Sequence, residues 1–506
     1  MRSRLGVIAI LATWLVALAY AAAGVPESRP QPTSDPAGDG AVVANDPSAA
    51  SSVWFCPSGS AGTPTAASHV VHVANPDDRV AAISVTSWNA DGAAGPPISL
   101  EVPAASTLAL TSADLGTAVG GSVLIESRPG AVTVAHRLVS TGLSDEGPCA
   151  SRASGEAYFP ILDTRRGASA RLTIFNPFPA DTVVDVTVSS VDGVRVPSEL
   201  SSLVVRGASF RTIELGDIVQ RRDLFSMGVR ARSGRFVAEV AQYGDGVESP
   251  SGLRLQLGIP RTTDRVAFAD GFVTGGIGER YVVYNPHAES ARVALQVLPY
   301  DASAAARPEP FLLDVPARRA VTVDLAAEPR VAPDVLHWVL IDVLSGEGVA
   351  AARQVNVAGT NSSGLSSGIA SSVGTPRSST RWIVTGLDPA ATTPASLLVA
   401  NPSPDSIAVI EIATFVSGTA AAPAGVARIE VPPGQGTAVD LAPIQATAPA
   451  GTVMGLTLTA EAPVIIERRI IATSSADLSI VAGFPRVDGL AELPAVAAVS
   501  APGAGD

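Results

Sequence analysis

The sequence predicts an all-β protein: four tandem immunoglobulin-like antiparallel β-sandwiches, after an N-terminal hydrophobic segment and a disordered linker. Three observations carry this. One phrase, an apolar strand ending in Asn-Pro, a short polar turn and a second alternating strand, occurs four times, at Asn75, Asn176, Asn285 and Asn401. The spacings of 101, 109 and 116 residues suit a whole β-domain and are too long for a solenoid coil or a propeller blade. Apolar and polar residues alternate along most segments, the period of a strand with one buried face.

Composition agrees. Apolar residues make up 46% of the chain but aromatics only 5%, so the cores are built from Val, Ala, Leu and Ile. The 46 Gly and 40 Pro supply turns. There is no lysine, which excludes a Schiff-base lysine, a Ser-Lys dyad and a lysine-bearing phosphate loop. The net charge of −13 argues against general nucleic-acid binding.

In chain order, Arg2 and Arg4 precede an uncharged run to Gly24. Residues 1–24 are expected to be a signal peptide or an uncleaved membrane anchor, with everything after them extracytoplasmic. Residues 25–50, rich in Pro, Ser, Asp and Ala, read as a linker. The sandwiches are expected at 51–150, 151–260, 261–376 and 377–486, with a flexible tail at 487–506. Within each copy the Asn-Pro hairpin leads to a third strand such as that ending Glu101-Val102-Pro103, then a fourth, then a hairpin: about seven strands. The prolines end strands because they cannot donate to the ladder. The last three copies close with Gly-Xaa-Pro-Arg, from Gly258, Gly374 and Gly483. Cys56 and Cys149, the only two cysteines, lie at the two ends of the first copy, and export favours one disulfide between them.

These phrases resemble a family of exported actinobacterial proteins known only as a domain of unknown function. The resemblance rests on Trp54-Phe55-Cys56-Pro57, Gly147-Pro148-Cys149, Ser233-Gly234-Arg235, Gly258-Ile259-Pro260-Arg261, Asp270-Gly271 and the run from Arg280 to Pro286, and covers about residues 50–486. It implies an anchored or secreted envelope protein and transfers no functional residues.

Several constellations invite a functional reading. Gly364-Leu365-Ser366-Ser367-Gly368 has the spacing of a hydrolase elbow, but it lies in a Ser/Gly-rich loop of an all-β repeat, not at a strand-to-helix turn. His69 and His72 are three apart on a strand and point to opposite faces, which disfavours a zinc site with His136; surface or half-buried histidines are expected. A polar position at the last hairpin, Arg137, Gln242, Gln354 and Arg469, is expected to serve the fold. Trp54, Phe159, Phe268 and Trp382 recur and are expected in the cores. Trp88 and Trp338 do not recur and are the candidates for exposed contacts. The second copy holds 13 Arg against 12 acids, and Arg230, Arg232 and Arg235 are candidate ligand-binding residues for an anionic polymer. The function expected is a non-catalytic cell-envelope scaffold without metal or cofactor, its partner an envelope protein or wall polymer. A binder of anionic glycan, and an enzyme with a site between repeats, are the alternatives.

Overall fold

In the computed structural model, residues 41–45, 48–59, 68–115, 121–128, 132–140, 142–357, 368–388, 395–471 and 478–495 are described. The expected signal or anchor segment, most of the linker, Ser366 and the end of the tail lie outside them. No helix among the described residues is long and apolar enough to cross a membrane.

Each copy is a two-sheet sandwich. In the first, one sheet has the order Ser52–Cys56, Val123–Arg128, Ala81–Ser87, Ile98–Val102. The other runs Ser106–Thr111, Ser68–Asn75, Thr133–Ser140, Leu143–Pro148. All pairs are antiparallel. The third copy repeats this order strand for strand. In the fourth, one 18-residue strand, Met454–Ile471, passes through both sheets. The count is eight principal strands, one more than expected from the hairpin phrases. The pairing also departs from immunoglobulin order: the first strand pairs with the sixth and the seventh with the second.

Alternation places the repeated aromatics where their area is best buried. Trp54, Phe159, Phe268 and Trp382 sit in the four separate cores. The glycine of each Gly-Xaa-Pro-Arg is small for the same reason: a Cβ on Gly258 or Gly374 would come within 2.9 Å of the Phe159 or Phe268 ring. The residues around it return to the copy's own first strand, as in the Tyr158–Ile259 and Ala267–Thr375 bridges.

The asparagines do more than precede proline. Each is buried, and its carboxamide closes a corner in the same way four times. In the third copy Asn285 Nδ2 donates to the carbonyls of Glu289 at 2.7 Å, Val315 at 3.2 Å and Pro316 at 3.4 Å, and Oδ1 accepts from the His287 N–H at 3.0 Å. Asn75, Asn176 and Asn401 make the equivalent sets. Opposite each asparagine a left-handed residue, Ala105, Ala208, Arg318 or Gly434, turns its N–H to the carbonyl two residues past the asparagine.

The described residues from Ala41 to position 495 belong to one compact unit, and the four copies close a circuit within it. The last strands of the copies, Leu143–Pro148, Gly252–Leu257, Gly368–Val373 and Leu478–Ala482, pack in cyclic order, the fourth against the first. The fourth and first copies also share a core: Ile383, Phe415 and Phe484 pack with Trp54 and Cys56, and Thr107 bridges Val453. The linker ends earlier than position 50, because Ala44 is fully buried and exchanges hydrogen bonds with Pro485 and Val487 at 2.9 and 3.0 Å.

Candidate functional site

The arginines expected to face a ligand are held by their own sandwich. Arg230 lies 2.9 Å from Glu156 and donates to the Tyr158 hydroxyl at 3.4 Å. Arg232 grips Asp185 with two bonds, at 2.5 and 2.9 Å. Arg235 lies over the Phe178 ring, 4.9 Å from its centroid. The strand spacing does set Arg230 and Arg232 two apart, but each has an acid on a neighbouring strand.

Trp88 and Trp338 correct the expectation of exposure: they are 3% and 1% exposed. Each is an anchor between copies. The Trp88 indole N–H reaches the Ala208 carbonyl of the second copy at 2.8 Å, and the ring packs edge-on against Phe175. Trp338 reaches Gly434 of the fourth copy at 3.0 Å. They do not recur because each serves one junction, Trp88 from the end of the third strand of its copy and Trp338 from the sixth of its own.

The polar position of the last hairpin is not one position. Arg137, Gln354 and Arg469 share a register opposite Val70, Arg280 and Ser396, but Gln242 lies one residue further, opposite Ala170. These side chains bond other side chains: Arg137 to Ser144, Gln354 to Asn356, Arg469 to Asp270, and Gln242 to Arg254.

The unexpected chemistry lies at the junctions. Register makes His136, Val240, Arg353 and Arg468 equivalent, facing Val71, Leu172, Tyr281 and Leu397. In three copies this position is a buried histidine or arginine, and the next copy in the circuit supplies the carboxylate it meets. His136 Nε2 meets Glu239 at 3.0 Å. Arg353 meets Glu467 at 3.3 Å, with Glu279 and Asp270 at 3.5 and 3.7 Å. Arg468 meets Glu146, from the first copy, at 2.7 Å. The fourth junction, second to third, has no such ion pair among the described residues: Val240 stays in its own core, Ile161 packs with Val282 and Ala352, and Arg319 donates to the Ser190 carbonyl.

Burial of a charge is tolerable only with a partner, and removing one partner of such a pair costs about 3–5 kcal/mol. A carboxylate facing Val240 would be stranded, so these pairs specify which copies meet. Burial raises the Glu467 carboxyl above its usual range, although Arg353 opposes this. Arg254, also buried, is lowered to about 10.

Around His136 the network extends to a second histidine. His69 Nε2 lies 3.1 Å from His136 Nδ1, and the second oxygen of Glu239 accepts the Ser58 N–H at 3.2 Å. Four of the five histidines, His69, His72, His136 and His337, are buried, against the expectation of surface positions. Two residues before Ser58, Cys56 bonds Cys149 as the sequence favours. No cluster of His, Cys, Asp and Glu suited to a metal occurs among the described residues.

Comparison adds an unassigned family. A family of unknown function (DUF5719) matches residues 146–256, from the last strand of the first sandwich to the last strand of the second. No curated protein matches the chain. Among solved structures, the Thermotoga maritima 1070 protein is 14% identical and aligns with 23% of this chain and 95% of its own, at a TM-score of 0.19. An alpha-L-rhamnosidase of Streptomyces avermitilis, complexed with L-rhamnose, is 9% identical over 68% of this chain and 44% of its own, at a TM-score of 0.14. Neither likeness is strong enough to bear on function.

Proposed function

We propose that the chain is a non-catalytic scaffold of the extracytoplasmic cell envelope, exported by its N-terminal hydrophobic segment and either tethered by it or released. The observation that carries this reading is the closed circuit: four sandwiches packed last strand to last strand, three of the junctions tied by buried ion pairs, leave a fixed body with loops and strand edges at its periphery. Such a body suits holding other components at set positions. The disulfide supports an oxidising compartment. Loops and sheet edges are the surfaces by which sandwiches commonly recognise partners. The second copy offers one such edge, where Val191, Val194, Val196 and Val204 are exposed.

The reading as a binder of anionic polymer has weaker support, since Arg230 and Arg232 already hold acids. An enzyme with a site between copies has weaker support too, because the acid–base pairs there are buried. The test is a pull-down with the full-length tagged chain against wall polymer and membrane fractions, at low and high salt. The scaffold reading expects a discrete protein partner that survives Arg230→Ala/Arg232→Ala. Polymer binding that collapses in salt and in that variant would replace it with the binder reading.

A further inference from the structure

Of the three basic residues at this junction position, two are arginines, which stay charged at any ordinary pH, and one is a histidine. We propose that the junction between the first and second sandwiches is a pH-sensitive joint, tight while His136 is protonated and loosened when it is neutral. The geometry specifies the protonated form well. An imidazolium donates from both nitrogens: Nε2–H to Glu239 at 3.0 Å, and Nδ1–H to His69 at 3.1 Å. His69 must then be neutral, and burial together with the charge on His136 holds it well below the ordinary histidine range.

The charged and titratable groups facing His136 come from three strands. His69 lies on Ser68–Asn75, Asp145 and Glu146 on Leu143–Pro148, and Glu239 on the second copy's Val237–Gly244. Burial alone would lower the His136 pKa; Glu239, with help from Glu146 and Asp145, reverses this and raises it above the ordinary value. A raised folded-state pKa gives stability that is complete below the ordinary value of about 6.5 and is lost as pH rises through the raised one. When His136 loses its proton, His69 can turn donor and the hydrogen bonds survive. The charge balance does not: Glu239 keeps two neutral donors, His136 and Ser58, in a site closed to solvent.

The test is hydrogen exchange of the intact chain from pH 6 to 9. The strands Leu143–Pro148 and Gly252–Leu257 report on this junction, and Gly368–Val373 and Leu478–Ala482, joined by Arg353 and Glu467, are the internal reference, read in a His337→Gln background because buried His337 meets Glu279 of that cluster at 3.0 Å. Their ratio cancels the intrinsic rate change. Protection at the first pair should fall relative to the second as pH rises, because the stability tied to the raised His136 pKa is lost there. His136→Arg, which installs the residue found in the third and fourth copies, should hold the ratio constant. Glu239→Gln should also remove the pH dependence, at lower protection throughout, and serves if the arginine variant does not fold. A constant ratio with His136 and Glu239 intact, or the same pH response in both variants, would overturn the proposal.

Discussion

Replacing Asn285 by alanine removes two N–H donors shared among three carbonyls and one accepted bond at once. The asparagine is fully buried, so water does not replace them in the folded chain. A typical intramolecular hydrogen bond contributes about 1 kcal/mol net, and the two longest here count for less, which gives about 3 kcal/mol for the corner. Asn285→Asp is the sharper control. It is nearly isosteric and keeps the bond from His287, but it cannot donate, so an oxygen faces the carbonyls of Glu289, Val315 and Pro316. It should destabilise at least as much as alanine. Denaturant unfolding followed by tryptophan fluorescence, with local hydrogen exchange at Ile277–Tyr284 to localise the effect, measures both variants. An alanine loss below about 1 kcal/mol, or an aspartate variant as stable as the parent, would refute the clamp as the stabilising feature of the corner.

The left-handed residues give a second comparison. Arg318→Gly should stabilise by about 0.5–1 kcal/mol, and Gly434→Ala should destabilise by about 1 kcal/mol, because φ is +57° and +68° there. Thermal midpoints of the two variants should move in opposite directions. Reduction of Cys56–Cys149 should cost about 4 kcal/mol, concentrated in the first sandwich, and loosen Ser58 against Glu239; thermal unfolding with and without reductant measures it. Trp88→Ala and Trp338→Ala should each cost about 3–5 kcal/mol by removing a buried ring between copies. Their unfolding should begin at different junctions, and an unchanged midpoint in either variant would remove that tryptophan's role as an anchor.

The sandwich architecture was legible because strand alternation and the Asn-Pro phrase are local signals, repeated at a domain's spacing. The cores followed, since Trp54, Phe159, Phe268 and Trp382 hold one position in all four copies. The asparagine corner was visible only in half: proline explains why a strand ends, but nothing local shows that a carboxamide will bridge to Val315 and Pro316, 30 and 31 residues away. The junctions were out of reach for a related reason. His136 and Glu239 are 103 residues apart, and Arg353 and Glu467 are 114 apart, so neither pair forms a motif. Repetition itself misled for Trp88 and Trp338. A residue absent from the other copies looks like a ligand contact, but here it marks a junction that the circuit does not repeat. The arginine excess misled because composition reports charge and not pairing; Asp185 and Glu156 come from other strands of the same sheet.

Closure of the circuit is the central claim, and one cross-link addresses it directly. Thr107 in the first sandwich and Val453 in the fourth form an antiparallel bridge, far apart in the chain. Facing residues of such a bridge lie within the Cα separation a disulfide needs, about 4.4–6.8 Å. In Thr107→Cys/Val453→Cys, the account predicts spontaneous formation of the new bond in the folded monomer, seen by peptide mass mapping alongside Cys56–Cys149. Two free thiols in the folded, oxidised protein would contradict it and favour four sandwiches strung in a line.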